Sequence, residues 1–230
     1  MSAWLVLFDI DGTLLSAGVV FRNALAEALR ECFGRTGPID GFEFSGKTDP
    51  QIVRCLMREA GLSDATIDVR MPEALDRYEA GLLPLLDDRS VRAKPGAIPL
   101  VQSLAADPRV LLGLLTGNLE RCARAKLAPL GLNDCFSFGA FGSDAENRGR
   151  LPAVAVERAF RATARRYVGK QVVIIGDSVE DVRCGRNIGV RSVAVASGMT
   201  SRSALSAEKP DAILDDFRDI GVCLRAILGE

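Results

Sequence analysis

The chain has 230 residues, 48% apolar and 26% charged, a balance that excludes disorder and leaves enough apolar material for one or two packed domains. Lysine and arginine number 29 against 30 aspartates and glutamates, so no net field draws it to nucleic acid or an anionic membrane, and neither partner is expected. Histidine is absent, which removes serine–histidine triads and histidine-bound zinc and leaves general acid and base work to carboxylates, lysines, hydroxyls or water. The six cysteines (Cys32, Cys55, Cys122, Cys135, Cys184, Cys223) form no Cys-x-x-Cys pair, and this usage suits reduced, inert thiols in a cytoplasmic protein.

In chain order, the first element is an apolar run from Ala3 to Phe8, which Asp9 interrupts. It lacks the basic flank and small-residue site of a targeting signal, and no apolar run approaches membrane-spanning length. From Leu15 to about Val91 the periodicity is helical, over Val20 to Phe33, Pro50 to Ala60 and Ala65 to Leu86, with no comparable β-run. Short runs apolar at every position then return at Val110 to Leu115, Val172 to Ile175, Val190 to Val195 and, more weakly, Ala212 to Leu214. Helical segments follow them over Leu119 to Leu130, Pro152 to Tyr167, Val179 to Ile188 and Phe217 to Leu228, with Gly131 and Gly189 at expected helix ends.

Runs of this kind alternating with helices predict an α/β fold, a Rossmann-like parallel sheet covered by helices on both faces. The helical interval reads as a domain inserted after the first strand. The expected division is a core of residues 1–15 and 91–230 and a cap of residues 16–90, with hinges at Ser16 to Gly18 and Asp87 to Pro95, where the chain turns polar or carries proline.

Three strand ends carry candidate chemistry. The first reads Asp9, Ile10, Asp11, Gly12, Thr13. Residues two apart on an extended chain point the same way, so both aspartates should project beyond the carboxyl edge, where open α/β sheets bind ligands. Two readings of the pair stand: a site whose crowded charges call for a hard cation, or a turn in which both aspartates cap nearby amides. A calcium loop is a poor fit, because Thr13 stands at its fifth position and Leu14 and Val20 fall where it needs glycine and glutamate. The second strand end reads Thr116, Gly117, Asn118, where a hydroxyl and backbone amides ahead of a helix suit a phosphate-sized anion, or an ordinary turn and N-cap. The third reads Gly176, Asp177, Ser178, Val179, Glu180, Asp181, which puts Asp181 one helical turn beyond Asp177 and on the same face if a helix begins here, or makes Asp177 an ordinary N-cap.

In this order and on this spacing, the three motifs resemble the haloacid dehalogenase superfamily over nearly the whole chain, and the helical interval resembles that superfamily's cap, as in its phosphoglycolate-phosphatase-like branch. The resemblance implies a phosphoric monoester hydrolase in which Asp9 is the nucleophile and Asp11 the general acid and base. It also implies Mg²⁺ held by the Asp9 carboxylate, the Asp11 backbone carbonyl and Asp177, with support from Asp181. Thr116 and the amides of Gly117 and Asn118 would bind the phosphoryl group of a small-molecule phosphate ester. A phosphosugar mutase of the same superfamily is the alternative. Such proteins usually present a lysine before the helix that precedes the last motif, whereas this chain reads Asn147, Arg148, Gly149, Arg150, Leu151, Pro152. Spacing favours Arg150 as the replacement, with Arg148 second, and Lys94 stands behind both.

One further segment, Gly41 to Thr48, fits the phosphate-binding pattern Gly-x4-Gly-Lys-Thr letter for letter, the basis of a rival nucleotide hydrolase. Arg35 to Asp40 ahead of it is polar rather than a buried strand, and Asp49 followed by Pro50 reads as an N-cap, starting the helix after the lysine and threonine. The loop resembles the cap segment that dips toward the active site in the phosphoglycolate-phosphatase-like branch, and that resemblance implies Lys47 as a substrate contact; a solvated surface lysine is the other reading.

Overall fold

The computed structural model describes residues 4–186 and 188–229. Ala3, the first residue of the opening apolar run, and Asn187, within the helix expected over Val179 to Ile188, lie outside them.

Six parallel strands form the central sheet: β1 (Trp4–Phe8), β4 (Val110–Leu115), β5 (Gly139–Ala140), β6 (Val172–Gly176), β7 (Arg191–Val195) and β8 (Ala212–Leu214), in the order β5-β4-β1-β6-β7-β8. In β1, Val6 and Phe8 pack on one face and Leu5 and Leu7 on the other. The first pair meets α4 (Ala97–Ala106), α5 (Glu120–Leu127) and α9 (Ile220–Leu228); the second meets α6 (Leu151–Thr163) and Cys184 of α7 (Val179–Arg186). Burial on both faces is why these runs are apolar at every position, and each fully buried leucine or phenylalanine contributes about 1.5–3 kcal/mol.

The helical interval forms α1 (Val20–Phe33), α2 (Asp49–Glu59) and α3 (Asp64–Leu82), which close around their own apolar cluster of Leu25, Leu29, Val53, Leu56, Ile67 and Tyr78. Leu119 and Cys122 from the start of α5 complete that cluster, so the helical unit packs onto the sheet layer at the carboxyl edge of the strands. Its entry and exit lie side by side: β2 (Leu15–Ser16) pairs antiparallel with β3 (Arg92–Ala93), inside or beside the two expected hinges. A short α8 (Arg202–Ala207) lies between β7 and β8.

Several expectations change. Helices α4 and α8 and the two-residue strands β2, β3 and β5 have no counterpart in the sequence reading; a strand of two residues carries too little periodicity to read. Helix α5 ends at Leu127 and continues as a 3-10 turn over Ala128–Leu130, the turn containing Pro129. The nucleotide-loop pattern at 41–48 has no strand before it; Ile39–Gly41 is a 3-10 turn and α2 starts after Thr48. Thr48, rather than Asp49, is the N-cap, its side chain accepting from the Gln51 amide, and Asp49 serves elsewhere. All six cysteines are free and at least half buried. Burial pushes the Cys122 and Cys184 thiols up to about 12, consistent with inert side chains. Among the described residues no helix is long and apolar enough to cross a membrane.

Candidate active site

Strands β4, β1 and β6 are neighbours, so their carboxyl ends deliver Thr116, Asp9 and Asp177 to one place. Beyond β1 the chain turns sharply. Gly12 takes φ +85°, and a Cβ there would overlap the Asp177 carboxylate, so the turn needs glycine twice over. The turn places the buried Thr13 hydroxyl 3.3 Å from Asp9 Oδ2 and 3.2 Å from Asp177 Oδ1.

Asp9, Asp177 and Asp181 are all buried, and each offers a carboxylate oxygen within 4.8 Å of the others. Burial, then the Asp181 charge, pushes the Asp9 carboxyl up to about 7. Burial, then the Asp9 and Asp181 charges, pushes Asp177 up to about 8. Three carboxylates cannot stay ionised together in a dry pocket without positive charge among them. An all-oxygen donor set of this size fits a hard divalent cation. Asp181 is already engaged, one oxygen accepting from the Ser178 amide at 3.0 Å and hydroxyl at 2.6 Å, the other from Arg148. It therefore holds the cluster in shape.

The cation facing this cluster is Arg148. Its Nη2 donates to Asp9 Oδ1 at 2.9 Å and to Asp181 Oδ1. Burial works against its charge, but Asp181 and Asp9 hold its pKa above the usual arginine value. The preference for Arg150 is thus reversed. Residues 148–150 form a 3-10 turn that leads into α6, and this turn aims Arg148 inward and leaves Arg150 on the surface. Distance from the helix start does not decide which arginine faces inward; the tight 3-10 turn does. The Arg148 Nε is buried with no protein partner, a donor that an anionic oxygen in the site would satisfy. Lys94 donates instead to the Ser197 carbonyl at 2.6 Å.

Asp11 lies outside the acidic cluster. Its Oδ2 accepts from Lys126 Nζ and from Asn118 Nδ2, each at 2.7 Å, so the repulsion expected between Asp9 and Asp11 is met at Asp11 by a lysine. Lys126 is buried, and it also donates to Asn118 Oδ1 at 2.6 Å. Burial opposes its charge, but Asp11 and Asp49 outweigh that and raise its pKa. Asn118 Nδ2 reaches Thr116 Oγ1 at 2.7 Å, tying the second motif to the first. Lys126 went unnoticed in the sequence although a signal was there: with Cys122, Ala123 and Leu127 it falls on the buried stripe of α5, an anomalous place for a lysine.

The helical unit closes the site from above. Gly117 accepts from the Asp49 amide at 2.8 Å, and Asp49 Oδ2 accepts from the Leu119 amide at 2.8 Å. A Cβ on Gly117 would strike the Lys47 carbonyl oxygen, so glycine here permits the approach. Thr48 donates to the Glu146 carbonyl at 2.6 Å, and Arg54 forks onto the Glu146 carboxylate. Lys47 lines the resulting cavity of about 380 Å³ together with Asp9, Asp11, Thr116, Gly117 and Asn118, while its Nζ donates to the Glu43 carbonyl at 2.8 Å.

A parallel α/β sheet with a threonine and two aspartates at three adjacent strand ends, under a helical unit inserted after the first strand, defines a class of hydrolase. The family model described as haloacid dehalogenase-like hydrolase matches residues 6–186, and the chain belongs to that family. Among curated relatives, a phosphoglycolate phosphatase of Synechococcus elongatus is 30% identical over 94% of each chain. One of Pectobacterium atrosepticum is 26% identical over 93% of this chain and 88% of its own. The structure of a predicted phosphatase from Clostridium acetobutylicum, at 16% identity, covers 100% of both chains with a TM-score of 0.73 and shows the shared fold. With this family and these relatives, the protein is a phosphoric monoester hydrolase of the branch similar to phosphoglycolate phosphatases.

Proposed function

We propose that the protein is a Mg²⁺-dependent phosphatase of small phosphate monoesters, with a phosphoglycolate-like metabolite as the leading substrate, acting through a phosphoryl group carried on Asp9. The observation that carries this reading is the buried cluster of Asp9, Asp177 and Asp181 with Arg148 donating to Asp9, in a cavity that also contains Asp11 and Thr116. The metal would be held by the Asp9 and Asp177 carboxylates and the Asp11 backbone carbonyl, steadied by Asp181. When bound, it supplies the positive charge that lets an anionic nucleophile approach an anionic ester.

The chain's own residues then divide the work. Asp9 attacks phosphorus, forming its Oδ–P bond as the P–O bond to the leaving group breaks. Asp11 gives the departing oxygen its proton, then takes one from the water that attacks the acyl phosphate, releasing inorganic phosphate and restoring the Asp9 carboxylate. Lys126 and Asn118 position Asp11 for both transfers through their bonds to its Oδ2. Arg148, Thr116 and the amides of Gly117 and Asn118 hold the phosphoryl oxygens. Residues 16–90 act as the cap of a two-domain protein whose core is residues 1–15 and 91–230, excluding water and bulky esters while Lys47 contacts substrate.

The test is chemical trapping. Rapid quenching during turnover, borohydride reduction and peptide mapping should place the label on Asp9. Asp9→Asn should neither label nor turn over; a folded Asp9→Asn protein with wild-type phosphatase activity would end this reading. Product analysis on a hexose phosphate separates a phosphatase from a phosphosugar mutase.

A further inference from the structure

Part of the wall of the cavity that contains the catalytic carboxylates comes from the helical unit. Phe21 and Arg22 of α1 and Phe42, Phe44 and Lys47 of the loop before α2 line the same space as Asp9, Asp11 and Arg148. Phe44 stands edge-on to both Phe21 and Phe42, with ring centroids 5.2 Å apart in each pair. The two cations of this wall lie against those rings, the Arg22 guanidinium 5.3 Å from the Phe44 centroid and the Lys47 ammonium 5.4 Å from that of Phe42. Aromatic faces attract cations and exclude water, so they hold both charges in place without neutralising them.

The cations lining the cavity differ in what they are bonded to. Arg148 is paired with Asp9 and Asp181, Lys126 with Asp11, and Lys94 and Lys47 each donate to a backbone carbonyl. Among the described residues, Arg22 has no hydrogen-bond or ion-pair partner, and its Nε is buried. A buried N–H without an acceptor is a standing cost that a bound acceptor would remove. A guanidinium presents two parallel donors suited to a planar or tetrahedral oxyanion.

We propose that Arg22 is a specificity-determining residue that reads a second anionic group, a carboxylate or a further phosphoryl group, on the leaving side of the substrate. The proposal rests on the phosphatase reading above and names the class of ester it would select: short phosphate esters with a second negative charge. A site built to bond an anion discriminates strongly against an analogue lacking it, because the donor is then left unpaired. Neutral alkyl and sugar esters would leave Arg22 unpaired in this way.

Calorimetric titration of the whole protein at fixed free Mg²⁺ with non-hydrolysable probes tests this independently of turnover. Phosphonoacetate carries the carboxylate, methylenediphosphonate the second phosphoryl group, and ethylphosphonate neither. The wild type should bind one of the two doubly anionic probes at least about tenfold more tightly than ethylphosphonate, and whichever it holds more tightly identifies the second anion. Arg22→Met should cut that probe's affinity by about 10- to 100-fold, the loss of a charge-assisted hydrogen bond, while ethylphosphonate loses far less. Arg22→Lys, which keeps the charge, should restore part of the difference. A wild type that does not discriminate among the probes, or an Arg22→Met protein that weakens all three equally, would overturn the proposal. If the wild type hydrolyses no ester, the phosphatase reading fails, and the binding ratios still decide the role of Arg22.

Discussion

Replacing Asp49 by asparagine should stabilise the protein, and by more at alkaline than at acid pH. Burial, against the opposing pull of Lys126 and the Leu119 amide, pushes the Asp49 carboxyl from 3.8 up to about 6. A group with a raised folded-state pKa binds its proton more tightly when folded, so its stabilising contribution is full below 3.8 and is lost as pH rises through about 6. The shift corresponds to about 3 kcal/mol once pH is well above 6, of which roughly half accrues between pH 5 and pH 8. Asparagine keeps an oxygen for the Leu119 amide and never ionises, so the advantage of Asp49→Asn should grow by that half over the same interval. Urea unfolding of both proteins at pH 5 and pH 8 measures it, as a midpoint gap widening by about 0.5 M for a slope near the upper end for urea. A gap that stays constant would mean that Asp49 is ionised with an ordinary pKa and that its burial beneath the helical unit is wrong.

Three further outcomes follow from the site. Arg148→Ala should lower kcat by about 10²-fold or more, the scale of losing a transition-state charge stabiliser, whereas Arg150→Ala, on the surface, should stay near wild type; steady-state kinetics on an aryl phosphate compares them. Excess chelator should abolish turnover, and Asp177→Asn should raise the Mg²⁺ requirement or abolish activity, with Ca²⁺ a poor substitute because of its looser coordination; a metal titration of activity reads both. Gly117→Ala should cost about 1–3 kcal/mol by thermal or urea unfolding, since the new Cβ meets the backbone carbonyl of Lys47 rather than a side chain that can turn aside.

Asp9, Thr116 and Asp177 were legible one by one because each follows a run of apolar residues, and a buried parallel strand requires such a run whatever surrounds it; Asp11 was legible from its place two residues beyond Asp9. The helical interval was equally legible, because three amphipathic helices without a β-run cannot join a parallel sheet. Local chemistry determined these features, so the linear order of residues was enough.

What only the tertiary structure decided are the partners of those residues. Arg148 and Arg150 are the same amino acid two positions apart, and the phase of a three-residue 3-10 turn, itself set by packing, separates a buried cation from a surface one. Lys126 meets Asp11 across 115 positions because β1 lies beside β4, which α5 follows, and Asp49 meets the Leu119 amide across 70 because the helical unit folds back onto the start of α5. Arg22 faces the cavity because α1 packs there with the aromatic loop before α2. Periodicity reports which side of an element is buried, but which charges meet there depends on contacts between segments far apart in the chain, and these exist only once the helical unit and the sheet have packed together.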